Sequence, residues 1–334
     1  MADPRWAVIA TQTVAQEAAA SMLPRGSAID AVIAGVFAAA AVSKTVLLGP
    51  VQVLLGGAGM GVLAVDGRLR QPGLSVARPR GYVSEEEIPP SAYVAVPSLA
   101  AALAATRAIA NSSTLNQVLG PALDLAKTAS TERHALLKEI ARRGPMALAE
   151  EPFASELVAA AGRLAGGLLT VADLGEMRPA IIECAIEKKG DRRVATVPWR
   201  DHEVSPLHVE IIAAADGQGR VAIACYEAPE EGMPIPALDL AAPLAAAPVR
   251  RGETRVRPGE PRPAAAPMAL LETAGMLEIA LGFARSTTAE ELLARVVASF
   301  MSGTPAEQAV TESSLRGSAP AGVFRTRLTA RAFK

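Results

Sequence analysis

The sequence predicts an α+β protein whose β-sheets are covered by helices, and three observations carry that prediction. Segments that read as strands cluster towards both ends of the 334-residue chain, while helical segments fill its middle. The stretch SPLHVEIIAAADGQGRVAIACY, Ser205 to Tyr226, reads as two strands around the turn Asp216-Gly217-Gln218-Gly219. Val209, Ile211 and Ala213 point to one face of its first arm, and His208, Glu210 and Ile212 to the other. Both faces of the hairpin are mostly apolar, which predicts a central pair covered on both sides. Finally, no repeat and no linker cuts the chain, so residues 1–334 are expected to form one unit.

The elements follow in order. Trp6–Ala10 predicts a strand and Val14–Leu23 a helix closed by Gly26. Ser27 and Asp30 stand at capping-box spacing and open a second helix to Val42; its many alanines predict close packing beneath a sheet. Val51–Leu55 and Met60–Val65 predict strands joined by Gly56-Gly57-Ala58-Gly59. GGAGMG departs from G-x-G-x-x-G and no P-loop lysine follows, so these glycines are read as a tight turn. Short strands are expected at Gly73–Ala77 and Tyr93–Val96. Helices are expected at Leu99–Ala110, Leu115–Thr128, Thr131–Arg142 and Phe153–Leu164, with Thr170 capping a short one to Gly175. Ile181–Glu187 and Val194–Val197 predict strands leading to the hairpin. Beyond it, Pro248–Pro267 is proline-rich and basic and reads as coil. Met276–Leu281 predicts a strand, Ser286–Met301 a helix, Thr304–Leu315 a second helix with proline at its first position, and Val323–Ala330 a last strand.

Composition excludes several functions. Hydrophobic residues make up 50% and charged residues 20%, as in a folded globular chain. Aromatic residues are only 3% and net charge is −1, which leaves neither stacking nor attraction for nucleic acid or an acidic membrane. The apolar run Ala28–Val42 is shorter than the about 20 residues a bilayer span needs. No signal peptide is evident, so a cytoplasmic protein is expected. Cys184 and Cys225 read as buried thiols, and nothing points to a metal or a cofactor.

Several stretches resemble the γ-glutamyltransferase family. ATQTVAQEAAASMLPRGSAIDAVIAG is similar to that family's opening strand and helix pair. Tyr93-Val94-Ala95-Val96-Pro97 before a helix, LNQVLGPALDLA from Leu115, and AAGRLAGGLLTVADLGEMRP from Ala160 resemble its middle. RPGEPRPAAAP resembles a later loop, and the central hairpin resembles the strand pair that carries the family's nucleophile. The resemblance implies the four-layer αββα sandwich of N-terminal-nucleophile hydrolases. Residues 1–204 would correspond to a shortened large subunit and 205–334 to the small subunit.

The site residues implied by the resemblance are mostly replaced. The nucleophilic threonine falls on Pro206, which has no hydroxyl, and the threonine after it on Leu207. The carboxylate-binding arginine falls on Leu74, the paired serines on Ala264–Ala266, and the oxyanion glycines near Phe283-Ala284. The cleavable segment before the nucleophile is missing between Trp199 and Ser205. An aspartate of the amine-binding segment persists as Asp239. The expectation is therefore a catalytically inactive relative without self-cleavage. It would serve as a binding or structural subunit, with a protein partner or with itself. The alternative is an amidohydrolase or acyltransferase using Ser205, beside His208 and with His202 nearby. Three residues apart along a strand, Ser205 and His208 face opposite sides, which speaks for a structural histidine.

Overall fold

A computed structural model describes residues 5–24, 26–57, 59–77, 81–110, 113–199, 208–314, 320–325 and 330–333. Its centre is the predicted hairpin, β7 (Val209–Ala215) and β8 (Arg220–Glu227). They pair antiparallel between β1 (Ala7–Ala10) and β2 (Val51–Gly57), so the hairpin is central as expected. β3 (Met60–Gly67) and β4 (Ala180–Glu183) complete a first sheet in the order β1-β7-β8-β2-β3-β4.

A second six-stranded sheet has the order β14-β13-β12-β11-β6-β5. Its members are β5 (Ile186–Lys189), β6 (Arg192–Thr196), β11 (Met268–Thr273), β12 (Met276–Phe283), β13 (Pro320–Arg325) and β14 (Ala330–Phe333). A two-stranded pair, β9 (Met233–Ile235) and β10 (Leu240–Ala242), stands apart.

Strand alternation assigns each face. Val209, Ile211, Ala213, Ile223 and Cys225 meet Met268, Leu270, Ala280 and Val323 of the second sheet in a core between the sheets. Ile212, Ala214, Ala224 and Tyr226 point the other way, into a core with helices. Those helices are α1 (Thr13–Met22), α2 (Ala28–Val42), α3 (Leu99–Ala110), α4 (Leu115–Ala129), α5 (Thr131–Arg143) and α6 (Phe153–Ala161), followed by the short α7 (Val171–Gly175). On the outer face of the second sheet, Leu271, Ile279, Leu281 and Phe283 pack on α8 (Ala289–Ser302) and α9 (Ala306–Ser314). Three cores thus join antiparallel sheets and helices, the mixed architecture that was expected.

α2 shows why these residues fold so. Ser27 Oγ accepts from Asp30 N and Asp30 Oδ2 accepts from Ser27 N, which closes the predicted capping box. Ala28 through Ala41 are all buried. At Gly35 a Cβ would stand 2.2 Å from Ile212 Cδ1 and 2.7 Å from Ala15 O, so only glycine lets α2 touch β7 and α1 together.

Several local expectations are corrected. Ile181–Glu187 is not one strand: β4 and β5 belong to different sheets, and Cys184 sits between them, buried but outside a strand. The last strand is a hairpin, β13 and β14. Tyr93–Val96 and Gly73–Ala77 form no strand, because their backbone groups are taken by single bridges and by Asp173. The hydroxyl of Ser98, just before α3, donates to Gly67 O. β9, β10 and β11 were not foreseen. Residues 248–267 are tied at Val249, Arg251, Gly259, Glu260 and Arg262 by backbone bonds to Leu69, Gln71 and Tyr82.

Candidate functional site

The start of β7 and the end of β8 open onto a cleft of about 440 Å³ lined by Lys44, Thr45, His208, Glu210, Glu230 and Arg285, among others. Glu210 breaks the apolar run of β7 and is buried. Its carboxylate accepts from Thr11 Oγ1 on one side and from the Arg285 guanidinium on the other, Nε at 2.8 Å. Arg285 is placed by a left-handed backbone, φ 51°, and by its N–H, which donates to Val209 O. The Glu210 hydrogen bond holds the Arg285 pKa above its usual value.

Two further groups belong to this end of the molecule. Tyr226 is opposite Glu210 in register, and its buried hydroxyl has no hydrogen-bond partner among the described residues. Burial, then the Glu210 charge, pushes its pKa up. Glu227, paired with Val209, is half-buried, and burial pushes its carboxyl up to about 7.

Asp239 sits in left-handed backbone, φ 48°, after a short 3-10 turn. Lys44 Nζ lies 2.6 Å from it, and Arg133 Nη2 donates to it at 3.1 Å. Arg133 is itself buried and also donates to Ala41 O. The Lys44 hydrogen bond, followed by Ser130 and Arg133, holds the Asp239 carboxyl below its usual range against the opposing effect of burial. Lys44 links Asp239 to the cleft that His208 lines.

Ser205, Pro206, Leu207 and His202 lie outside the described residues. His208 is exposed on the cleft, and its carbonyl accepts from Ala228 N. At the other positions singled out from the sequence, the structure shows hydrocarbon and filled bonds. Leu74 N and Gly73 N donate to Asp173. Ala264, Ala265 and Ala266 are buried. Phe283 is buried in the outer core, and its N–H donates to Pro267 O. Sequence reasoning missed Lys44, Glu227, Glu230 and Arg285. Only Glu210 carried a signal, a carboxylate inside an otherwise apolar strand.

No family model matches the chain, and no curated protein matches it in sequence. Solved structures do match in shape. Cephalosporin acylase from Bacillus halodurans superposes with a TM-score of 0.75 at 14% identity, covering 98% of this chain and 93% of that one. Two forms of LmbA2991 give TM-scores of 0.74 and 0.71 at 14% and 15% identity; both matches cover 98% of this chain and 96% of theirs. A γ-glutamyltranspeptidase from Pseudomonas nitroreducens gives 0.49 at 19% identity, covering 59% of this chain and 72% of that one.

Proposed function

From the N-terminal-nucleophile hydrolase fold that this chain shares with cephalosporin acylase, we propose a γ-glutamyltransferase-like protein that no longer catalyses amide transfer. It acts instead as a binding or structural subunit of a homo- or hetero-oligomer. The observation that carries this reading is that the carboxylates of Glu210, in the cleft, and of Asp239, beside it, are already paired. Glu210 is held between Thr11 and Arg285, and Asp239 between Lys44 and Arg133. A carboxylate gripped by two partners is poorly placed to take a substrate ammonium or to move a proton. The replacements at Pro206, Leu74 and Phe283-Ala284 point the same way.

One observation favours a second reading, an active amidohydrolase or acyltransferase with Ser205 as nucleophile. Glu227, raised to about 7, is a carboxyl poised for acid–base work beside the start of β7. Intact mass and a γ-glutamyl anilide assay separate the two readings. The expected result is one uncleaved chain of 34.4 kDa with no turnover above a heat-inactivated control. Fragments meeting near Ser205, or turnover abolished by Ser205→Ala, would establish the second reading instead.

A further inference from the structure

The opposite end of the two sheets carries a cavity of about 570 Å³, bounded by the β2–β3, β7–β8 and β11–β12 turns. Two charged side chains stand on its wall. Arg193 of β6 and Glu272 of β11 are directly opposite in antiparallel register. On the same face, the neighbouring register pair Ala195 and Leu270 lies in the core between the sheets, so Arg193 and Glu272 face the space between them. Both are half-buried, and neither makes an ion pair or side-chain hydrogen bond among the described residues. Arg192, one residue earlier and on the other face, contrasts with them: its guanidinium donates to the carbonyls of Phe300, Gly303 and Thr304.

A charge that loses hydration without gaining a partner is a cost to folding, and here two of opposite sign stand side by side. Cross-strand neighbours have Cβ atoms roughly 5 Å apart, a spacing that suits the ammonium and carboxylate of one small molecule. An arginine fork matches a carboxylate in two parallel hydrogen bonds. Beyond the charges and Gln218, the side chains of the lining include the apolar Val62, Ile186 and Leu277. Gly57 and Gly219 keep the floor bare: a Cβ on Gly57 would stand 2.1 Å from Gly219 O. Glu183 stands near the rim, with Oε1 3.5 Å from where a Gly61 Cβ would be.

We infer that this cavity binds a free α-amino acid with an apolar side chain, its carboxylate on Arg193 and its ammonium on Glu272. The site is separate from the His208 cleft and does not depend on what that cleft does. Calorimetric titration of the full chain with L-leucine, L-leucinamide and N-acetyl-L-leucine tests it. Leucine is expected to bind, and each analogue, lacking one charge, at least about tenfold more weakly, the worth of one charge-assisted hydrogen bond. Arg193→Gln should weaken leucine about tenfold and leave leucinamide unchanged. Glu272→Gln should weaken leucine similarly and leave N-acetyl-L-leucine unchanged. The analogue series needs no variant, so it decides the matter even if a substitution fails to fold. Absence of leucine binding at millimolar concentration, equal binding of all three probes, or leucine binding that survives both substitutions would overturn the inference.

Discussion

Glu227 is a carboxyl that burial alone raises to about 7, and the direction of its effect on stability follows. In the unfolded chain it ionises at an ordinary value near 4.5. Between that value and about 7 the native protein holds a proton that the unfolded chain has released. Stability therefore falls as pH rises through this window, by up to about 3 kcal/mol, and the group contributes nothing below it. Glu227→Gln mimics the protonated form and removes the dependence. Urea unfolding of both proteins should give equal stabilities at pH 4 and an advantage to the variant at pH 8. Parallel curves over that range would mean that Glu227 ionises normally in the native state.

At the scale of elements, α2 depends on Gly35 as a contact point with β7 and α1. Gly35→Ala places a methyl group where Ile212 and the Ala15 carbonyl already stand. Overpacking of this kind costs roughly 1–3 kcal/mol, more than the about 1 kcal/mol that alanine gains over glycine in a helix. A lower denaturation midpoint with an unchanged slope is the expected result; a higher midpoint would refute the close contact. α2 was also the most legible element, since its cap lies within three residues of sequence and its alanine-rich apolar run needs no partner to be read. β4 and β5 were not legible. Nothing local says that a chain leaves one sheet at Glu183 and joins another at Ile186, because the pairing partners lie far along the sequence. The site was legible in the same proportion. His208, which lines the cleft, and Asp239, which Lys44 ties to it, could both be named from the sequence. The grip of Lys44 and Arg133 on Asp239 joins residues from three distant segments and left no local trace.

For the whole molecule, the proposed role as a subunit directs attention to the basic, proline-rich residues 248–267. Arg250 pairs with Glu85, and Arg262 Nε donates to Ala245 O, so both hold the segment itself in place. Arg251 and Arg257 are exposed and make no side-chain bond among the described residues. If the chain works as a subunit, these two carry the contact. Light scattering during size exclusion should show an assembly larger than one chain, and Arg251→Ser with Arg257→Ser should dissociate it without lowering the unfolding temperature. A monomer in both cases would refute self-association through this arm.

The position of the β7–β8 hairpin has a consequence for how the protein is made. It lies between β1 and β2, strands that precede it by more than 150 residues, and Asp216 in its turn accepts from the N–H of Ala28 at the start of α2. During synthesis β1 and the β2–β3 pair wait with open edges until residues 209–227 leave the ribosome. Closure across so long a stretch makes folding slow and exposes the nascent chain to edge pairing with other chains. A chain terminated at residue 199 is therefore expected to aggregate, and residues 208–334 supplied in trans should rescue it only if present as it emerges.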